Sequence, residues 1–92
     1  MDILKDIDFL SELIRKYQGN SHARKLVSLS FDVEAARSIV RVSESGKYPD
    51  KTKLDAAALR WVRSIAVSMQ SVVSGDSDEA HTLKELSMRG SL

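Results

Sequence analysis

The chain has no cysteine among its 92 residues, and it contains only one proline and four glycines. Without cysteine there is no disulfide bond, no thiolate metal site and no cysteine nucleophile. The scarcity of glycine and proline disfavours an all-β fold, which would need many tight turns. These absences favour a helical protein in a reducing compartment.

Long apolar runs and a strong net charge are also missing. No stretch approaches the ~18 consecutive apolar residues that a membrane-spanning helix needs. The first residues, MDILKDIDFL, are acidic, whereas a secretory signal begins with basic residues. The net charge of +1 predicts no strong general attraction to nucleic acid or to anionic membranes. We therefore expect a cytoplasmic protein that does not associate with membranes.

Length and composition fit one domain that spans residues 1–92. Independent cores usually need about 50–150 residues, and 42% apolar with 29% charged residues is ordinary for a globular protein. A chain of this size buries only about 60–65% of its unfolded surface, so we expect modest stability. A second apolar face that binds a partner would increase that stability.

Apolar residues recur at the spacing of amphipathic helices through most of the chain. Acidic residues begin the first helix and basic residues end it, as the helix dipole favours. Residues 44–50 include a glycine and the proline, and this segment reverses the chain. The predicted fold is all-α, a compact bundle of three long antiparallel helices and a short C-terminal helix, at about 2–18, 21–43, 51–73 and 78–88.

The second helix is ambiguous, because residues 25–31 and 38–43 also alternate like short strands. Two features favour a helix. Gly19-Asn20-Ser21 supplies a stop followed by an N-cap. The segment DVEAAR between the two candidate strands has strong helix propensity and no turn residue.

This second helix carries apolar residues on two faces. One face comprises Leu26, Leu29, Val33, Ala36 and Val40, and the other lies roughly 150–180° away. Such a helix either lies at the centre of its own bundle or lends one face to a partner. With Trp61 of the third helix as a neighbour, the candidate partner-binding residues are Val27, Phe31, Ala35, Ile39, Val42 and Trp61.

His81 lies in a string that resembles a known family. In AHTLKEL, Ala80, His81, Leu83 and Lys84 are similar to the phosphoacceptor segment of histidine phosphotransfer domains. The resemblance implies that an exposed His81 accepts a phosphoryl group and that Lys84 attracts it. Glu85 departs from the family pattern, which has a small residue there. Phosphotransfer is the first alternative function.

Other chemistry has less support. Neither His22 nor His81 has a second metal ligand at helical spacing, and no nucleophile elbow, phosphate-binding loop or dinucleotide-binding turn is present. We expect no enzyme activity, no metal and no cofactor. A nucleic-acid-binding regulator is the second alternative, which the balanced charge disfavours; its candidate residues are Arg24, Lys25, Arg37, Arg41, Arg60 and Arg63.

The favoured expectation is a non-enzymatic protein–protein interaction module, such as a small regulator, adaptor, chaperone or inhibitor. It would present an apolar helical face to another protein or to a second copy of itself. The sequence leaves open whether that face belongs to the core or to an interface.

Overall fold

The structure is a computed structural model, and it describes residues 2–19, 23–73 and 75–89, with the side chain of Ala23 excepted. Over these residues the chain forms four α-helices and no strand. The helices are α1 (Ile3–Tyr17), α2 (Ala23–Glu44), α3 (Lys51–Met69) and α4 (Asp78–Ser87). The predicted all-α bundle is confirmed. The strand alternative is wrong, because residues 25–31 and 38–43 both lie inside α2.

Side chains cap three of the helices. Asp2, Asp50 and Ser77 each accept a hydrogen bond from the backbone N–H three residues later, at 3.2–3.3 Å. These caps satisfy donors that the first turn of α1, α3 and α4 leaves unpaired. Ser21, the predicted cap of the second helix, lies outside the described residues.

The third helix ends earlier than predicted, at Met69 rather than at residue 73. The N–H groups of Val72 and Val73 both donate to the Met69 carbonyl, at 2.9 Å, so the chain leaves the helix through a tight turn. Val73 stays buried, which explains why the apolar pattern continues past the helix end. Gly75 has a φ of 92°, a conformation that side-chain-bearing residues rarely adopt, and the chain then enters α4.

The core lies where the four helices meet. α1 and α3 both pack against α2, and α4 packs against α3. The first apolar face of α2 is buried at all five predicted positions. The other helices and the turn after α3 complete the core with Ile7, Leu10, Leu13, Ile14, Ala58, Val62, Ile65, Ala66, Met69, Val73, Leu83 and Leu86.

The bundle is thin, since its Cα atoms span 42 × 26 × 15 Å. Packed helices lie 8–10 Å apart, so the smallest dimension holds two layers of helices. The buried side of α2 faces the other layer, and its opposite side lies at the surface of the described chain. None of the described helices combines the length and apolar content that crossing a membrane requires.

Candidate protein-binding surface on α2

The second apolar face of α2 is largely exposed to solvent. Phe31 is 71% exposed, Val27 is 52% exposed and Val42 is 36% exposed. Ala35 is half-buried, and Ile39 is half-buried against the core. Exposure therefore differs along this face: Ile39 contacts the core, whereas Phe31 is mostly in solvent.

A row of uncharged residues runs along the outward side of α2, flanked by the exposed Glu34 and Arg41, and we call this row the outer strip. Its residues recur at helical spacing along one side of α2 and extend over about 22 Å, at 1.5 Å per residue. Solvated helix faces normally carry charged side chains, as α1 does at the exposed Lys5, Asp8 and Glu12. The outer strip comprises Val27, Ser28, Phe31, Ala35, Ser38, Ile39 and Val42.

Trp61 lies on α3, the helix that packs against α2. The Ser43–Asp55 hydrogen bond between the two antiparallel helices sets a register that places Ala35 level with the turn containing Trp61. The Trp61 side chain is half-buried against the core, so it serves the fold as well as the surface. Next to it is a hollow of about 270 Å³, lined by Ala57, Arg60, Trp61 and Ser64.

A cleft of about 260 Å³ separates α1 from α2 next to Phe31. Its apolar lining includes Ile14 and Val33, both buried, together with the exposed Phe31. Phe31 thus projects into solvent and also borders a recess. The lining residues are Ser11, Ile14, Arg15, Gln18, Ser30, Phe31, Val33 and Glu34.

Unpaired basic residues stand near both ends of the outer strip. Arg24 and Arg41 are exposed, and neither side chain makes a hydrogen bond or ion pair within the described part of the chain. Arg37 differs, because its guanidinium lies 2.8 Å from Asp8 and 3.6 Å from Glu34. The hydrogen bond to Asp8 raises the pKa of Arg37.

Of the six basic residues proposed for nucleic-acid binding, some pair with other side chains and some do not. Lys25 donates a hydrogen bond to Ser71, and Arg37 is engaged in its ion pairs. The side chains of Arg60 and Arg63, on α3, make no hydrogen bond or ion pair among the described residues. The structure leaves nucleic-acid binding as a prediction.

Sequence reasoning missed a polar cluster at the junction of α2 and α3. Ser43 is only 4% exposed, and its hydroxyl donates to Asp55 at 2.6 Å while accepting from the Lys51 ammonium at 3.1 Å. The hydrogen bond from Ser43, followed by that from Lys51, lowers the pKa of Asp55. The sequence contained a signal for this cluster, because Ser43 lies one turn beyond Val40 on the buried face of α2. A buried hydroxyl needs a hydrogen-bond partner.

Three further polar contacts tie α4 and the residues after it to α1. Glu79 accepts hydrogen bonds from Lys16 at 2.9 Å and from the Tyr17 hydroxyl at 3.1 Å, and the Lys16 bond is the main cause of its lowered pKa. Arg89 lies 3.3 Å from the buried Oδ2 of Asp6, an atom without a hydrogen bond in the described structure. Burial outweighs the charge of Arg89 and raises the pKa of Asp6.

His81 is exposed on α4, and Lys84 is exposed one turn later. The nearest acidic group to the imidazole is Asp76, whose Oδ1 lies 3.8 Å from Nε2. Exposure is what the phosphotransfer alternative requires, and that alternative stays a prediction. Its direct test is acid-labile phosphate that is absent from His81→Gln.

Across residues 2–19, 23–73 and 75–89, no three His, Cys, Asp or Glu side chains are grouped to hold a metal ion. Comparison of the chain with protein-family models, with curated proteins and with solved structures gives no match. The function is therefore inferred from the surface itself.

Proposed function

We propose that the protein is a non-enzymatic protein–protein interaction module whose binding surface is the outer strip of α2. The observation that carries this proposal is the 71% exposure of Phe31 within an uncharged strip four turns long. The module acts as a small cytoplasmic regulator, adaptor, chaperone or inhibitor. It needs no cofactor for this role.

The energetics of Phe31 support a role in binding. A phenylalanine buries about 150–250 Å² when fully covered, so the exposed part of Phe31 offers roughly 110–180 Å² to a partner. At about 25 cal/mol per Å², covering it contributes of the order of 3 kcal/mol. Large anchors of this kind dominate protein interfaces.

The neighbours of Phe31 suit an anchor residue. Val27 and Val42 extend the apolar contact along α2, while Ile39 and Trp61 are held by the core and give the surface a rigid base. Rigid surroundings lower the entropic cost of binding. This arrangement matches recognition of a helix by an apolar helical surface.

Affinity capture with matched variants tests the proposal. Tagged wild-type protein, Phe31→Glu and Val67→Glu are used as baits in cells of the source organism. Val67 is the control, because it is 56% exposed on the outward side of α3 and lies off the outer strip. Captured proteins are then purified and titrated against each bait.

We expect a protein that binds wild type and Val67→Glu and loses at least tenfold in affinity for Phe31→Glu. That protein is either another chain or an untagged copy of this one. Equal binding to wild type and Phe31→Glu would contradict the proposal, as would equal losses for both variants.

A further inference from the structure

We propose that the outer strip of α2 binds the same strip of a second copy of this chain. The two α2 helices run antiparallel, and a two-fold axis passes near Ala35. The inference rests on the proposed function and names the partner.

The order of side-chain sizes along the strip supports this pairing. Phe31 is large, the next outward positions Ala35 and Ser38 are small, and Val42 is again larger. A two-fold axis at Ala35 places Phe31 of each copy within about 1.5 Å of Ser38 of the other along the helix. Ile39, which is level with Phe31, is half-buried against its own core. Each large ring then lies against small side chains, so the helices approach closely on both sides of the axis.

Charge supports self-association as well. A two-fold interface places one patch against itself, so a charged patch would repel its copy, whereas the outer strip carries no charge. Glu34, beside the strip and near the proposed axis, already lies 3.6 Å from Arg37 of its own helix. The neutral strip therefore meets the electrostatic requirement for pairing with a copy.

Arg24 and Arg41, whose side chains have no partner among the described residues, favour the antiparallel arrangement over the parallel one. In a parallel pair, each copy of Arg24 and of Arg41 would stand opposite its equivalent. In the antiparallel pair the two Arg41 residues are about 18 Å apart along the axis and the two Arg24 residues about 33 Å apart. Both separations exceed the ~8 Å screening length at physiological salt. The antiparallel helix dipoles also attract each other.

The area of the strip predicts a reversible dimer. Its exposed apolar surface, led by Phe31 and Val27, is a few hundred Å² per copy, which is typical of functional patches on monomers. Stable interfaces bury about 800 Å² per partner. Flanking contacts at the Phe31 cleft and the Trp61 hollow add area at the edges. We expect a dissociation constant of about 1–100 μM, as for interfaces at the small end of the range.

Single-cysteine crosslinking tests the geometry directly, because the native chain has no cysteine. Disulfides need Cβ atoms about 3.5–4.5 Å apart, a distance that Ala35 meets at the proposed axis. Under mild oxidation at a concentration above the dissociation constant, Ala35→Cys gives a covalent dimer. Val67→Cys, at a site on α3 that is 56% exposed and lies off the outer strip, is the control and stays monomeric.

The direction of pairing follows from two more variants. In the antiparallel dimer Ser28 lies level with Val42 of the other copy. A mixture of Ser28→Cys and Val42→Cys therefore forms the mixed disulfide at least tenfold faster than either variant crosslinks alone. Fast crosslinking of each variant with itself indicates a parallel pair and overturns the inference.

Phe31→Glu separates this inference from the proposed function. In the Ala35→Cys background, Phe31→Glu reduces crosslinking at least tenfold, and far-ultraviolet circular dichroism shows the helices retained. If Ala35→Cys crosslinks no faster than Val67→Cys, self-association is overturned. If in that case another protein still binds wild type and is lost with Phe31→Glu, the proposed function stands with a different partner.

Discussion

Phe31 and Leu26 are both large apolar residues of α2, five residues apart, and they lie on opposite sides of the helix. Leu26 is fully buried, whereas Phe31 projects into solvent. Burial of the Leu26 side chain therefore stabilises the fold. The Phe31 side chain is exposed in the single chain, so its burial stabilises a complex with a partner.

Replacing each residue with alanine separates the two roles. Leu26→Ala leaves a cavity and lowers the free energy of unfolding by about 2–5 kcal/mol. Phe31→Ala changes it by less than about 0.5 kcal/mol, as for most exposed sites. Urea unfolding at low micromolar concentration measures both. A large loss in Phe31→Ala would show that this face belongs to the core.

Ser43 is the residue at which a single hydroxyl group joins two helices. Its bond to the Asp55 carboxylate is of the charge-assisted kind that contributes about 1.5–3 kcal/mol. We therefore expect Ser43→Ala to lower the free energy of unfolding by about 1–3 kcal/mol at neutral pH. Ser64→Ala, at an exposed position of α3, is the control and should change stability little.

The same cluster makes stability depend on pH. Because the pKa of Asp55 is lower in the folded chain than its ordinary value of 3.8, its contribution is present above pH 3.8 and is lost as the pH falls through the folded pKa. Ser43→Ala removes the main cause of that shift. Unfolding measured between about pH 2 and pH 7 should thus show a shallower acid loss in Ser43→Ala than in wild type. Parallel pH profiles would contradict this.

At the scale of elements, α4 is the helix held by the fewest buried side chains. Leu83 and Leu86 are its buried residues, and Glu79 ties its first turn to Lys16 and Tyr17. Short, thinly packed elements open locally before the whole fold does. We therefore expect Glu79 to affect the free energy of local opening of α4 more than the free energy of global unfolding.

Glu79→Gln tests this local role. Exposed ion pairs contribute only about 0–1 kcal/mol, so global stability should change little. Amide hydrogen exchange within Asp78–Ser87 should become faster, while exchange in α1–α3 stays close to wild type. Glu85→Gln is a matched control on the exposed side of α4. Unchanged exchange in α4 would show that the buried leucines alone hold it.

The element bounds show what the sequence could predict. Periodicity predicted two apolar faces on α2, and the structure buries the first, from Leu26 to Val40, while much of the second is exposed. Periodicity did not predict the end of α3, because Val72 and Val73 continue the apolar pattern after the backbone has left the helix. The pattern of apolar residues indicates which side chains are buried. It does not indicate where the backbone hydrogen bonds of a helix end.

At the scale of the molecule, contacts between distant residues could not be predicted. Arg37–Asp8, Ser43–Asp55 and Lys16–Glu79 each join separate helices, and their register depends on tertiary packing. The candidate surface was predicted only as a set of residues. In the structure these residues differ in burial. Ile39 and Trp61 lie against the core, whereas Phe31 and Val27 are exposed to solvent.

The described residues form two layers of helices, and within them no helix covers the outer strip of α2. A second copy supplies that cover and turns α2 into an inner helix of a larger assembly. Folding then needs only the buried face of α2, while association uses the outer one. This division explains why one helix carries two apolar faces.

Sedimentation velocity over a concentration series tests this account most directly. Between about 1 μM and about 1 mM, a range that spans the expected dissociation constant, the wild-type chain should shift from monomer to dimer. Phe31→Glu should remain monomeric, and Val67→Glu should follow wild type. A wild-type chain that stays monomeric to 1 mM, or a Phe31→Glu variant that dimerises as wild type does, would contradict it.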